Sequence, residues 1–268
     1  MIIESSGISL VERVKEYRRY GTLFLFLAIR DIRLRYRQTF LGLLWSVLQP
    51  LVPMVIFTLV FSRLLRPETD GVPYYLFALG GLTPWMFFAN SINAAGATFV
   101  QNANLLNKVY FPRAIMPAAA IAAYVLDWLI ATIILSIFLT RAGYSPSLVW
   151  LCLPLIIVFA AIVAVGVGVA VASLSAVYRD VKHALPFVVQ VWMYATPVVY
   201  PIKLVSKRLQ WVLAMNPMTG VVEATRACLF GLGVDWPLLS ISMASALLIL
   251  AAATALFHKV EADLAERV

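Results

Sequence analysis

From Ser147 to Tyr178 the chain carries no charged side chain at all. A helix of about 20 apolar residues already matches the roughly 30 Å hydrocarbon core of a bilayer, so this run alone makes lipid the solvent for part of the molecule. Comparable uncharged stretches cover 41–61, 74–100, 184–202 and 236–257, and 114–140 is broken only by Asp127. The whole chain is 62% hydrophobic and 13% charged, against roughly 45–50% and about 25% in ordinary soluble domains. The expected fold class is therefore all-α integral membrane, with six transmembrane helices at these boundaries. The run 147–178 exceeds the core thickness, so its helix should protrude at one end. Pro50 and Pro53 should kink the first span.

Charge placement orients these spans. The net charge is +8, which by itself could indicate nucleic acid, but eight of the 21 Lys and Arg precede Gly42, beside the first apolar run. Positive charge in that position holds a chain end in the cytosol and meets anionic lipid. With both termini inside, the inner segments hold fourteen Lys and Arg and the outer ones seven. Lys203, Lys207 and Arg208 run against this trend and are read as an outer surface facing an anionic cargo. Residues 1–40 form a cytoplasmic and interfacial segment, helical from about Ser9, where Ser9 and Glu12 make a capping box. Within it Leu25, Ile29, Ile32, Tyr36 and Phe40 recur at helical spacing, while Arg30, Arg33 and Arg37 gather on a separate flank. That pattern predicts an amphipathic helix lying in the membrane interface. The charged opening, with Glu4, Glu12 and Glu16, is not expected to be a cleavable signal. Residues 258–268 are a cytoplasmic tail.

Residues 203–235 do not fit a seventh span. The apolar part, 209–222, would rise only about 21 Å as a helix, and Asn216-Pro217 and Thr219-Gly220 interrupt it. A re-entrant or interfacial helix pair on the outer face is expected, lined by protein or water.

Motifs for catalysis are missing. The sequence contains no Gly-Lys dipeptide and hence no phosphate-cradling P-loop. Two His, His183 and His258, give no zinc-like pairing, and Cys152 and Cys228 have no metal-ligand spacing. No catalytic residue and no metal site are expected, so uphill movement of a cargo would need an ion gradient or an energised partner. Ion coupling calls for paired intramembrane ionisable groups, whereas Asp127 stands alone in its span. It is either a proton or substrate site, or a carboxylate paired with polar neighbours. Ala160, Ala164, Gly168, Ala172 and Ala176 place a small residue every fourth position, a surface for close helix packing. Trp45, Gln49, Trp85, Phe87, Phe88, Asn90, Asn93, Trp192 and Tyr194 are either a path for a sugar polymer, with rings stacking on sugars and amides bonding hydroxyls, or interface belting and packing.

Three elements, in order, carry a resemblance. They are the basic segment RDIRLRYRQTFLGLLWSVLQPL, with Arg33, Arg35, Tyr36, Leu41, Gly42, Trp45 and Pro50; Tyr178-Arg179-Asp180 after the long fourth run; and Thr196-Pro197-Val198-Val199-Tyr200 followed by Asn216-Pro217. On these the chain resembles the permease subunits of ABC exporters for bacterial polysaccharides and polyol phosphates, over nearly its whole length. The resemblance implies the type-two ABC exporter permease fold, a homodimer, and two copies of a separate ATP-binding subunit that carries the ATP and Mg, with no cofactor on this chain. It implies coupling loops at Lys108, Phe111 and Arg113 and at Tyr178, Arg179 and Asp180. Arg30, Arg33, Arg35, Tyr36 and Arg37 would belong to a gating interfacial helix, and the segment from Tyr200 to Arg226 to an outer gate. A channel at the dimer interface would then pass a lipid-linked, O-antigen-like glycan along Trp45, Gln49, Trp85, Phe88, Asn90, Trp192, Tyr194, Tyr200 and Asn216. The setting would be the bacterial inner membrane. Teichoic acid and capsule exporters share these motifs. A membrane enzyme of lipid-linked glycan assembly is the alternative from another class, and the scarcity of acids near the spans argues against it.

Overall fold

A helix satisfies every backbone N–H and C=O within its own segment, the condition for crossing lipid. In the computed structural model, which describes residues 19–37, 42, 44–64, 69–102, 105, 111–178 and 180–267, every regular element is helical. In chain order these are α1 (Gly21–Tyr36), α2 (Leu44–Leu64), α3 (Tyr74–Gln101), α4 (Ile115–Arg141), α5 (Leu153–Val177), α6 (Val181–Tyr194), α7 (Lys207–Ala214), α8 (Pro217–Phe230) and α9 (Trp236–Arg267). Short 3₁₀ turns at Leu148–Cys152 and Ile202–Leu204 precede α5 and α7. The expected capping box at Ser9 and Glu12 lies outside the described residues.

Four stretches are long and apolar enough to cross a membrane: Leu44–Phe61, Ile115–Arg141, Leu148–Val177 and Trp236–Val260. They match the first, third, fourth and last expected runs. Helix α3 has 28 residues, ample length, but it carries Thr, Ser and Asn along it. The run expected at 184–202 is the clearest departure. Its helix, α6, has 14 residues and rises only about 21 Å. It stops at Tyr194 because Pro197 and Pro201 bar the αR conformation to the residues before them and supply no N–H. The last helix, by contrast, continues through the charged tail to Arg267, a stretch rich in Ala, Glu, Leu and Lys that favours helix. The pair expected between 203 and 235 is present as α7 and α8. The break falls at Asn216, whose side chain accepts from Met218 N at 3.1 Å to cap α8 ahead of Pro217, and Gly231 (φ 69°) ends α8 in the left-handed conformation.

Helix α3 occupies the centre and touches α2, α4, α5, α6 and α8. This position explains its composition. A helix walled by protein can carry polar groups that bond its own carbonyls, as Asn93 Nδ2 does to Ala89 O (2.9 Å) and Thr98 Oγ1 to Ala95 O (2.7 Å). Small residues set the approach distances. On α5, Ala160, Ala164, Gly168 and Ala172 are buried, and a Cβ on Gly168 would meet Ile121 of α4 at 2.8 Å and Ala95 of α3 at 3.1 Å. The stripe of small residues is thus a packing surface. A Cβ on Gly166, on another side of α5, would lie 3.2 Å from the backbone of Leu250 on α9. A Cβ on Gly81 of α3 would lie 2.3 Å from Val198 O and 2.5 Å from Arg226 Nη2. Gly81→Ala should therefore destabilise the detergent-solubilised protein by about 1–3 kcal/mol, the usual range for overpacking, whereas Gly21→Ala, with nothing within 4 Å, should leave its melting temperature unchanged. Equal melting of both variants would contradict the close packing of α3.

Candidate functional site: a polar latch, an aromatic wall and a pinned outer turn

Asp127 lies twelve residues into α4, and three donors converge on its carboxylate. Arg35 Nη1 donates to Oδ2 at 2.6 Å, Ser46 Oγ donates to Oδ1 at 2.9 Å, and the Tyr36 hydroxyl donates to Oδ1 as well. The Arg35 guanidinium carbon also sits 3.3 Å from the centroid of the Tyr124 ring. Local spacing supplies the geometry. Tyr124 and Asp127 are i,i+3 neighbours on one face of α4, Arg35 and Tyr36 end α1, and Ser46 lies in the first turn of α2. One carboxylate therefore ties three helices together. Of the two roles open to Asp127, the structure shows pairing with polar neighbours.

The latch also fixes how α1 lies. Leu27 and Ala28 cluster with Ile115, Met116 and Ala119 at the start of α4, and two turns further on Arg35 reaches Tyr124 and Asp127. Helix α1 is thus laid lengthwise along the first half of α4. Leu25 and Ile29 of the apolar stripe, with Phe26 and Leu34, are exposed and not packed against the other helices. Arg33 and Arg37 are exposed, and Arg30 bonds its neighbour Asp31 at 2.8 Å. Arg35 alone of these arginines turns inward to the latch. Beside it a cleft of about 370 Å³ opens between α1, α3 and α4, lined in part by Arg30, Asp31, Arg35, Gln101 and Tyr124.

The aromatic and amide residues divide into three groups. Trp85 and Phe88 are 2% and 0% exposed; Trp85 packs on Phe88 at 5.4 Å, Phe88 meets Trp192 edge-on at 5.2 Å, and Phe87 stacks on Trp128 at 5.0 Å. Within the protomer Trp85, Phe87 and Phe88 are core, because α3 is enclosed and large rings fill the gaps between its neighbours. Trp45 and Tyr194 are exposed at 55% and 56%. Gln49 and Asn90 are half-buried and join α2 to α3, Asn90 Nδ2 donating to Gln49 Oε1 at 3.0 Å.

The turn after α6 is held by a residue that sequence reasoning did not single out. Arg226 on α8 is 1% exposed; it donates to Pro197 O (2.7 Å), Val198 O (2.5 Å), Phe77 O (3.3 Å) and Glu223 Oε1 (2.9 Å), with its guanidinium 3.6 Å from the Phe77 ring centroid. Its signal was the Glu223–Arg226 pair, at i,i+3 in a helix with no other charge, together with Gly80-Gly81, which make room for it on α3. Asn216 Nδ2 adds a bond to Thr196 Oγ1 at 2.8 Å, and the Tyr200 hydroxyl donates to Tyr194 O at 3.3 Å. Lys203, expected to face a cargo, pairs with Asp70 at 2.7 Å, while Lys207 and Arg208 are exposed. Cys152 and Cys228 are both free.

Of the coupling residues, Lys108 and Arg179 lie outside the described residues. Phe111 is buried and Arg113 half-buried at the foot of α4, whereas Tyr178, 62% exposed, and Asp180 stand at the surface. Asp180 occupies the N-cap position of α6, where its charge favours the helix dipole although its side chain makes no capping bond.

Comparison with known proteins places this geometry in context. The chain is 26% identical over 257 residues to the O-antigen export system permease protein RfbA of Klebsiella pneumoniae, covering 94% of this chain and 98% of the relative. It is 25% identical over 263 residues to the protein of that name from Myxococcus xanthus, covering 97% and 100%. It is 25% identical over 205 residues to the polysialic acid transport protein KpsM of Escherichia coli, covering 75% and 78%. The ABC-2 type transporter family matches residues 22–230, from the first turn of α1 to the end of α8, and the chain belongs to that family.

Proposed function

We propose that this chain is the membrane-spanning permease of an ATP-driven exporter that carries a lipid-linked, O-antigen-like polysaccharide across the bacterial inner membrane. The observation that carries this reading is the match along nearly the full length of relatives named as O-antigen export permeases, on a helical bundle with four strongly apolar spans. The relative named for polysialic acid transport supports a second reading, a capsule-type polymer as cargo.

On this reading the chain crosses the membrane six times, with α3 and α6 plus the turn at 195–202 completing the four apolar spans, and both termini face the cytosol. Helices α7 and α8 are re-entrant on the outer side. Two copies pair around the channel and dock on two copies of an ABC ATP-binding subunit, which holds the ATP and Mg; this chain binds no cofactor itself. Trp45 and Tyr194 offer exposed rings to the polymer, Gln49, Asn90 and Trp192 stand behind them, and Trp85 and Phe88 stiffen the wall from within. Tyr200 and Asn216 shape the outer gate.

The packing supports a route for coupling. Closure of the ATPases presses on Phe111, Arg113 and Lys108 before α4 and on Tyr178, Arg179 and Asp180 before α6. Helix α4 is a rod from that loop to Asp127, so its displacement moves Arg35, Tyr36 and Ser46, and with them α1 and the start of α2. The interfacial arginines Arg30, Arg33 and Arg37 ride on α1 at the cytoplasmic mouth. The two gates therefore respond to one push.

Loss of the chain from its host should remove the surface polysaccharide while the polymer accumulates inside the cell; unchanged surface polymer would refute export as its role. An affinity-tagged chain should co-purify with an ATPase bearing a P-loop. Asp180→Lys and Arg113→Glu should lower export at least tenfold while the complex still forms, measured as surface polymer per unit of assembled transporter. Asp127→Ala strands the half-buried Arg35 and should lower the melting temperature and abolish export. Asp127→Asn, which keeps an acceptor for Tyr36 and Ser46, should retain more of both. Arg35→Gln combined with Asp127→Asn should be non-additive in melting temperature and export, and additive losses would show that the two residues act separately.

A further inference from the structure

The last turn of α8 docks on the connection between α4 and α5 through three consecutive residues. Cys228 Sγ donates to Val149 O at 2.9 Å, Leu229 O accepts from Trp150 Nε1 at 3.3 Å, and the Phe230 ring lies 6.3 Å from that of Tyr144. Val149 and Trp150 belong to the 3₁₀ turn Leu148–Cys152. In such a turn the carbonyl of residue i points at the N–H of residue i+3, and their side chains eclipse. The oxygen that receives the Cys228 thiol therefore faces the backbone of Cys152, and the two sulfurs lie within electrostatic range of each other. Cys228 is buried, whereas Cys152 is at the surface. They are the two cysteines of the chain. On the topology proposed above both stand at the outer end of the bundle, the side of the membrane on which disulfides persist.

We propose that Cys152 and Cys228 are a redox pair that closes into a disulfide on the outer side of the membrane, clamping the start of α5 to the end of α8. The inference rests on the outer placement of α8 and not on the cargo. Exposure sets the order of events. The Cys152 thiolate attacks the disulfide of an outer-face thiol oxidoreductase, forming a mixed disulfide and releasing one sulfur of that oxidant. The Cys228 thiolate then attacks Cys152 Sγ and expels the second. Two thiols of this chain are oxidised, the oxidant is reduced to its dithiol, and the two thiol protons end on the oxidant's sulfurs. The loop so closed contains α5, α6, α7 and most of α8. Arg226, two positions before Cys228, holds the turn at 197–198, so the bridge ties that turn to α5 as well.

The test takes the full chain from aerobically grown host cells, blocks free thiols with N-ethylmaleimide under denaturing conditions, and maps the cysteine peptides by mass spectrometry. The joined Cys152–Cys228 peptide should exceed the alkylated forms about tenfold, and dithiothreitol added before the block should convert it to two alkylated cysteines. The same reductant should lower the melting temperature of the solubilised protein and leave that of Cys152→Ser unchanged. Because Cys152 is at the surface, that substitution removes the bridge without disturbing the buried Cys228. Two alkylated cysteines in protein never exposed to reductant would overturn the proposal. So would a reductant-sensitive dimer joined through Cys152 of two copies. An impermeant maleimide applied to reduced, right-side-out membrane vesicles separates the bridge from the topology, and it should label Cys152. Outside labelling together with two free thiols in the untreated protein would sink the bridge alone, whereas labelling confined to inverted vesicles would sink the bridge and the outer placement of α8 together.

Discussion

A carboxylate halfway along an apolar helix has to find donors, because neither lipid nor packed side chains can replace its hydration. Asp127 finds three, from two other helices: Arg35 and Tyr36 from the end of α1, Ser46 from the start of α2. The energetic stake is asymmetric. Such a pair adds little over a well-packed apolar substitute, but removing either partner leaves a half-buried charge unanswered. The cluster is therefore better understood as a specifier of position than as a source of stability. It fixes the register of α1 along α4 and sets where α2 begins.

At the other end of the bundle Arg226 performs the corresponding task with backbone acceptors. Three carbonyls, two of them on the turn at 197–198 and one on α3, share its guanidinium with Glu223. The planar fork of arginine suits this because its several N–H groups diverge in one plane. Carbonyls of a turn cannot be satisfied by a helix ladder, so the turn after α6 keeps its shape only while Arg226 answers them. Two separate polar clusters, one on α4 and one on α8, thus hold the parts that the proposed transport cycle moves, and α3 runs between them touching both α4 and α8.

Helix α3 also shows why hydropathy and burial are different quantities in a membrane protein. Lipid-facing helices must be apolar on their outer surface, whereas a helix enclosed by five others needs close packing and satisfied polar groups. On α3 Gly81 and Gly96 allow close packing, and Thr98 Oγ1 and Asn93 Nδ2 bond the helix's own carbonyls, at the expense of its average hydropathy. The same enclosure turned Trp85 and Phe88, read in sequence as wall or packing, into packing.

The run of residues from Ser147 to Tyr178, its counterparts along the chain and the basic flank before Gly42 determined the helical membrane class from sequence, because the cost of burying charge and bare backbone in lipid admits few alternatives. Asn216-Pro217 placed the break before α8 for an equally local reason, whereas Thr219-Gly220, expected to interrupt as well, lies inside α8. The expected span at 184–202 overran because uncharged composition says nothing of where Pro197 and Pro201 stop a helix once a turn is anchored from elsewhere. The partners of Asp127 lie 81 to 92 positions away in the chain, and those of Arg226 extend to Phe77, 149 positions away. No periodicity links residues so separated, so only tertiary packing decided which buried charge meets which donor, and with it where the moving parts are held.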